Sequence, residues 1–161
     1  PVGMVWGLSA SPAIPAGHND QQKGMTMQEN RGPFARGGAN TAYARYFVGN
    51  SYLNMLSTEG VIIGNVTFEP GCRNNWHIHE AVSGGGQILL CTSGRGWYQE
   101  WGKPARELHE GDVVHIPAGV KHWHGAARDS WFVHLAVEVP GEGCRSQWLE
   151  PVSEEEYARL P

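Results

Sequence analysis

Two histidines two residues apart, His77 and His79, end a run that otherwise reads as strand. In a strand, side chains at i and i+2 share a face, so both imidazoles point one way while Trp76 and Ile78 point the other. Packing explains two imidazoles side by side on an inward face poorly. A divalent metal explains them well, because neutral imidazole is the commonest protein metal ligand. Glu80 is acidic and close, but it follows His79 directly and so faces away from the pair in a strand.

The elements that must hold these groups are short strands. Residues 61–68 are β-branched and compact, and Glu69, Pro70 and Gly71 turn the chain after them. Further strands are predicted at 75–79, 87–92, 96–101, 105–109, 113–116, 122–124, 131–137 and 146–149, with an earlier one in the latter part of 43–56. Ser93 and Gly94 are read as a turn, and 80–86, with three glycines in a row, as a flexible excursion. Ser153 and Glu156 make a capping box that opens a helix over 154–160. Short strands at regular spacing predict an all-β sandwich or barrel. The expected organisation is an N-terminal arm over 1–40, a barrel over 41–152 and a short helix over 153–161.

Composition narrows the function classes. The 161 residues suffice for one domain with a core. The net charge is −4 and no basic cluster is present, which argues against nucleic acid as a partner. No apolar run is long enough to cross a bilayer, and the first residues lack a charged leader region. A cytoplasmic compartment is expected, with a cleaved secretory signal as the alternative. Cys72, Cys91 and Cys144 are odd in number and irregular in spacing, so three reduced thiols are expected rather than a disulfide framework.

The spacing around the histidines resembles the cupin family. Gly71, five residues, then His77 and His79 match its first motif, and Gly94 follows Gln87 after six residues. Gly111, five residues, Pro117, Gly119 and His122 match the second motif in full. The resemblance covers roughly residues 58–140. One departure stands out: Gln87 fills the position usually held by glutamate, after a spacer lengthened by the glycine run. This looks like the subgroup that includes the bacterial cupin-type hydroxynitrile lyases, which share the flavour of Val66 to Gly71, Lys121 to Ala126 and His134 to Ala136.

The resemblance implies a jelly-roll barrel, the metal ligands His77, His79, Gln87 and His122, and pairing into a homodimer or larger assembly. It implies manganese as the native metal, with iron, nickel and zinc as alternatives. Three imidazoles and an amide oxygen are neutral, so a divalent ion keeps its full charge for a substrate. Four protein ligands with octahedral room for two more suit manganese or iron better than zinc, which favours tetrahedral sites.

His134 lies in an apolar strand, with Phe132 and Ala136 on its own face. Histidine has an intrinsic pKa near neutrality and can serve as general base. By resemblance His134 is the catalytic candidate; His124, two beyond His122 and on the same side of an extended segment, is the second, with a hydrogen-bonded supporting role the alternative for His134 and the favoured role for His124. A Lewis-acidic centre beside a proton-moving histidine supports carbon–carbon bond cleavage or formation next to a carbonyl, or decarboxylation. A small-molecule lyase is the first expectation. An iron dioxygenase and a non-catalytic metal- or ligand-binding cupin are the alternatives, since one fold hosts many activities.

Overall fold

A computed structural model describes residues 32–161. Most of the expected arm, the first residues included, lies outside the described residues. Strands β1 (Gly38–Ala39), β2 (Phe47–Val48), β3 (Ser51–Ser57) and β4 (Ile63–Phe68) come first. Then follow β5 (Arg73–Asn74), β6 (His77–Glu80), β7 (Ser83–Gly84) and β8 (Gln87–Glu100). The chain continues through β9 (Arg106–His109), β10 (Val113–Ile116), β11 (His122–Ala126), β12 (Phe132–Glu138), β13 (Gly141–Glu142) and β14 (Arg145–Trp148). It ends in helix α1 (Glu154–Ala158).

These strands curl into two facing antiparallel layers that share β8. In one layer β3, β4, β12 and the first half of β8 pair in turn, with β10 on the far side of β8. In the other, the second half of β8 pairs with β9 and β11, and β11 pairs with β5 and β6. The expected turn at Ser93 and Gly94 is therefore corrected: β8 is one 14-residue strand that bends there and crosses from layer to layer. Gly94 permits the bend. Its φ is +75°, and a Cβ there would lie 1.8 Å from the carbonyl oxygen of Trp131. Only glycine tolerates both conditions cheaply.

The glycine excursion is likewise more ordered than expected. Ser83 and Gly84 pair with Glu142 and Gly141 as a small two-stranded ribbon. Gly38 and Ala39, read as part of the arm, add a short strand against β3.

Apolar side chains of alternating positions fill the space between the layers. Phe68, Leu89, Leu108, Ile116 and Phe132 are fully buried there, with Cys72 and Cys91 among them. Burial pushes both thiols up to about 12, so they pack as small hydrophobes. Cys144 is exposed, and all three cysteines are free. A second cluster, built on Trp76, Trp97, Trp123, Val152 and Tyr157, covers the outer face of the β11 layer. The capping box at Ser153 and Glu156 forms as predicted and starts α1, which delivers Tyr157 to that cluster. The Tyr157 hydroxyl donates to the carbonyl of Ala126 at 2.6 Å, tying the helix to β11. Among the described residues no helix is long and apolar enough to cross a membrane.

Candidate metal centre and adjoining pocket

His77 and His79 occupy one face of β6 and are both buried, as the two-residue period requires. His122 opens β11 and lies directly opposite His77 in the antiparallel pair. One ring nitrogen from each of the three falls within 4.8 Å of the others. The ring centroids are 4.2 Å apart for His77 and His122, 5.1 Å for His77 and His79, and 5.2 Å for His79 and His122.

The hydrogen bonds around the cluster decide which nitrogens are free. Nδ1 of His77 lies 2.8 Å from the carbonyl oxygen of Asn75, and Nδ1 of His122 lies 2.9 Å from that of Val120. A carbonyl only accepts, so each Nδ1 carries the proton and each Nε2 keeps a lone pair. Nδ1 of His79 faces the Ser146 hydroxyl at 3.3 Å. The Nε2 atoms of His79 and His122 are buried without a hydrogen-bond partner among the described residues. An unpaired buried acceptor costs about 1–3 kcal/mol. Backbone or hydroxyl partners that fix the tautomer of each ring are the usual surroundings of metal-binding histidines.

Electrostatics keeps the rings neutral. Burial, and then the neighbouring imidazoles, hold His77 well below its ordinary value. Burial, then His79, brings His122 down to about 3. Three uncharged imidazoles with converging lone pairs form a cavity for a cation, and burial with mutual repulsion opposes a proton in its place.

Gln87 starts β8 beside this cluster. Its Nε2 donates to Oε1 of Glu138 at 2.7 Å, while its own Oε1 is buried without a hydrogen-bond partner among the described residues. An amide oxygen and three imidazole nitrogens are a donor set that a divalent first-row metal accepts. Glu80 turns outward and pairs with Arg145.

The pocket beside the cluster has a volume of about 60 Å³, and Phe47, Leu53, Val66, Phe68, Ala136 and Trp148 form its apolar wall. His134 reaches it from β12 and His124 from β11. The two imidazoles meet edge to face with centroids 4.8 Å apart. Their surroundings differ. His124 lies against the Asn74 amide, at 3.2 Å from Nδ1, and its backbone N–H donates to Oδ1 of the same residue. His134 stacks on Phe132, meets Phe68 edge-on, and has no hydrogen-bond partner for either ring nitrogen among the described residues. Burial alone brings His134 down to about 3.

Sequence reasoning missed Trp148, Glu138 and Asn74. Trp148 is the cross-strand partner of His77 and stacks on its ring at 4.6 Å, with Tyr46 stacked on Trp148. No local pattern marks it. Glu138 had a signal: in β12 it follows His134 and Ala136 at the two-residue period and so shares their face. Trp76, Trp97 and Trp123 pack in the outer cluster and Trp101 is exposed.

A family model described as a cupin domain matches residues 64–138. The (R)-mandelonitrile lyase of Granulicella tundricola is 45% identical over 95 residues, which cover 59% of this chain and 70% of that one. A cupin-like protein from Thermotoga maritima is 43% identical, with a TM-score of 0.70 over 79% of this chain and 95% of that one. A DMSP lyase from Ruegeria pomeroyi shares the fold at 18% identity, with a TM-score of 0.52 over 78% and 64% of the two chains.

Proposed function

Because the chain belongs to the cupin family, and its histidines leave their lone pairs turned to one point, we propose that it is a metal-dependent lyase. The reaction it carries is cleavage or formation of a carbon–carbon bond next to a carbonyl, of the cyanohydrin kind. The observation that carries this reading is His134: a buried imidazole with neither nitrogen hydrogen-bonded among the described residues, in the pocket that His77, His79 and Gln87 also line.

His77, His79, His122 and Gln87 would hold a divalent ion, which we take to be manganese in preference to iron, nickel or zinc. Bound there, such an ion would offer positive charge to the oxygen of a hydroxyl or carbonyl substrate. His134, kept neutral by burial, accepts the hydroxyl proton of the substrate. As the carbon–carbon bond breaks, its electron pair leaves with the departing carbon and the hydroxyl carbon becomes a carbonyl. The buried imidazolium is costly, so His134 returns the proton to the leaving carbanion, and atoms and charge balance. His124, held by Asn74, orients the His134 ring rather than exchanging the proton itself.

The pocket also speaks to the substrate. Apart from histidines, Glu138 is the one ionisable carboxylate or base lining it among the described residues; no Lys or Arg does. A neutral hydroxy compound with an apolar substituent suits such a wall better than a carboxylate, which favours cyanohydrin or aldol-type chemistry over decarboxylation. The relative's name, a mandelonitrile lyase, supports the same choice.

The test is release of aldehyde from mandelonitrile by manganese-loaded protein, run beside an oxygen electrode. Metal-dependent aldehyde release without oxygen uptake is expected. Substrate-dependent oxygen consumption by iron-loaded protein would overturn the lyase reading. A homodimer or larger assembly is expected in solution, and a monomeric mass by light scattering would contradict it.

A further inference from the structure

We propose that Glu138 is a positioning residue, which grips the Gln87 amide by its nitrogen and thereby turns the amide oxygen onto the three imidazoles. The inference rests on the metal reading above and goes beyond it.

A glutamine amide has two ends of equal shape and opposite chemistry, and nothing in its own rotamer preferences chooses between them. At Gln87 the choice comes from across the sheet. Gln87 and Glu138 are direct partners in the antiparallel pair of β8 and β12. A carboxylate only accepts, so it takes the NH2 end and refuses the oxygen. The contact of 2.7 Å is the length of a charge-assisted hydrogen bond. With the nitrogen held, Oε1 is left buried and unpartnered among the described residues. Reversing the amide would set its oxygen against the carboxylate and present N–H donors to a cation.

Both backbones are fixed. The N–H of Glu138 donates to the carbonyl of Ile62 at 2.9 Å, and that of Val139 to the carbonyl of Gly86 at 3.1 Å. Gly86 has a φ of +92°, and a Cβ there would lie 2.4 Å from the Ile116 carbonyl oxygen. The turn into Gln87 therefore requires glycine at position 86. The arrangement also keeps the negative charge one residue away from the ion, so the ligands stay neutral while a carboxylate still sits nearby.

Manganese titrated into metal-stripped protein tests this. Glu138→Leu is expected to weaken binding by about 10–100-fold, the usual effect of removing an outer partner of a ligand. Glu138→Gln is expected to recover most of it, because its amide oxygen accepts from Gln87. The deciding measurement is a double-mutant cycle: in a Gln87→Ala background, Glu138→Leu should cost no further affinity. Thermal melts of the stripped variants check folding, and Glu138→Ala repeats the cycle if the leucine variant does not fold. Wild-type affinity in Glu138→Leu, or an equal loss with and without Gln87, overturns the inference alone. A wild-type chain that binds no divalent metal overturns both this and the metal reading.

Discussion

His77 and His122 stand directly opposite each other across β6 and β11, their ring centroids 4.2 Å apart, although 45 positions separate them in the chain. The register of one antiparallel pair therefore builds two sides of the candidate metal centre at once. His79 adds the third because it lies two residues along the same face.

Loss of any of these rings should empty the centre. His77→Ala and His122→Ala are expected to retain less than a tenth of the wild-type metal after dialysis, measured by elemental analysis. Metal should raise the melting temperature of the wild type and leave both variants unmoved. At a hundred times the dissociation constant that stabilisation is about 2.7 kcal/mol. Unchanged metal content in His77→Ala would refute the ligand set.

His134 separates binding from chemistry. His134→Phe places a ring of similar size where the imidazole now stacks on Phe132 and meets Phe68 edge-on. It should keep its metal and lose roughly 10²–10⁴-fold in turnover, the scale of general acid–base catalysis. Wild-type turnover in that variant would remove His134 from the reaction.

The same residue should write a slope into stability against pH. His134 is depressed to about 3 by burial and takes up a proton near 6.5 once unfolded. Between those values the unfolded chain binds more protons, so stability is full above about pH 6.5 and falls as pH drops toward 3. Denaturant melts of metal-free wild type over this range should fall more steeply than those of His134→Phe. Parallel curves would show that His134 does not stay neutral in the folded protein.

Gly94 tests the bend in β8. Gly94→Ala must move the Trp131 carbonyl or flatten the turn of the strand, since no space exists for the added carbon. A loss of roughly 2 kcal/mol or more in stability is expected, against about 0.5 kcal/mol either way for ordinary surface changes. Stability equal to wild type would mean that the two layers do not need the bend.

Much of the site was legible because strand periodicity is local. The alternation that put His77 and His79 on one face, and turned Glu80 away, needs only a few residues of extended backbone. The same alternation through Phe132, His134, Ala136 and Glu138 would have exposed Glu138, had it been followed two residues further. Ser93 and Gly94 misled because a glycine with positive φ serves equally in a turn and in a bent strand. Only the close approach of the Trp131 carbonyl tells the two apart, and that contact comes from another strand.

By itself the chain determined the all-β character, the capped terminal helix and the pair of histidines, His77 and His79, on one strand face, since each depends on neighbours within about ten residues. Tertiary structure decided which atoms meet. The Gln87 amide takes its orientation from Glu138, the His77 ring from Trp148, and His134 its unpartnered state from two phenylalanines. Hydrogen-bond partners and burial are properties of strands brought together in space, and no spacing along the chain encodes them directly.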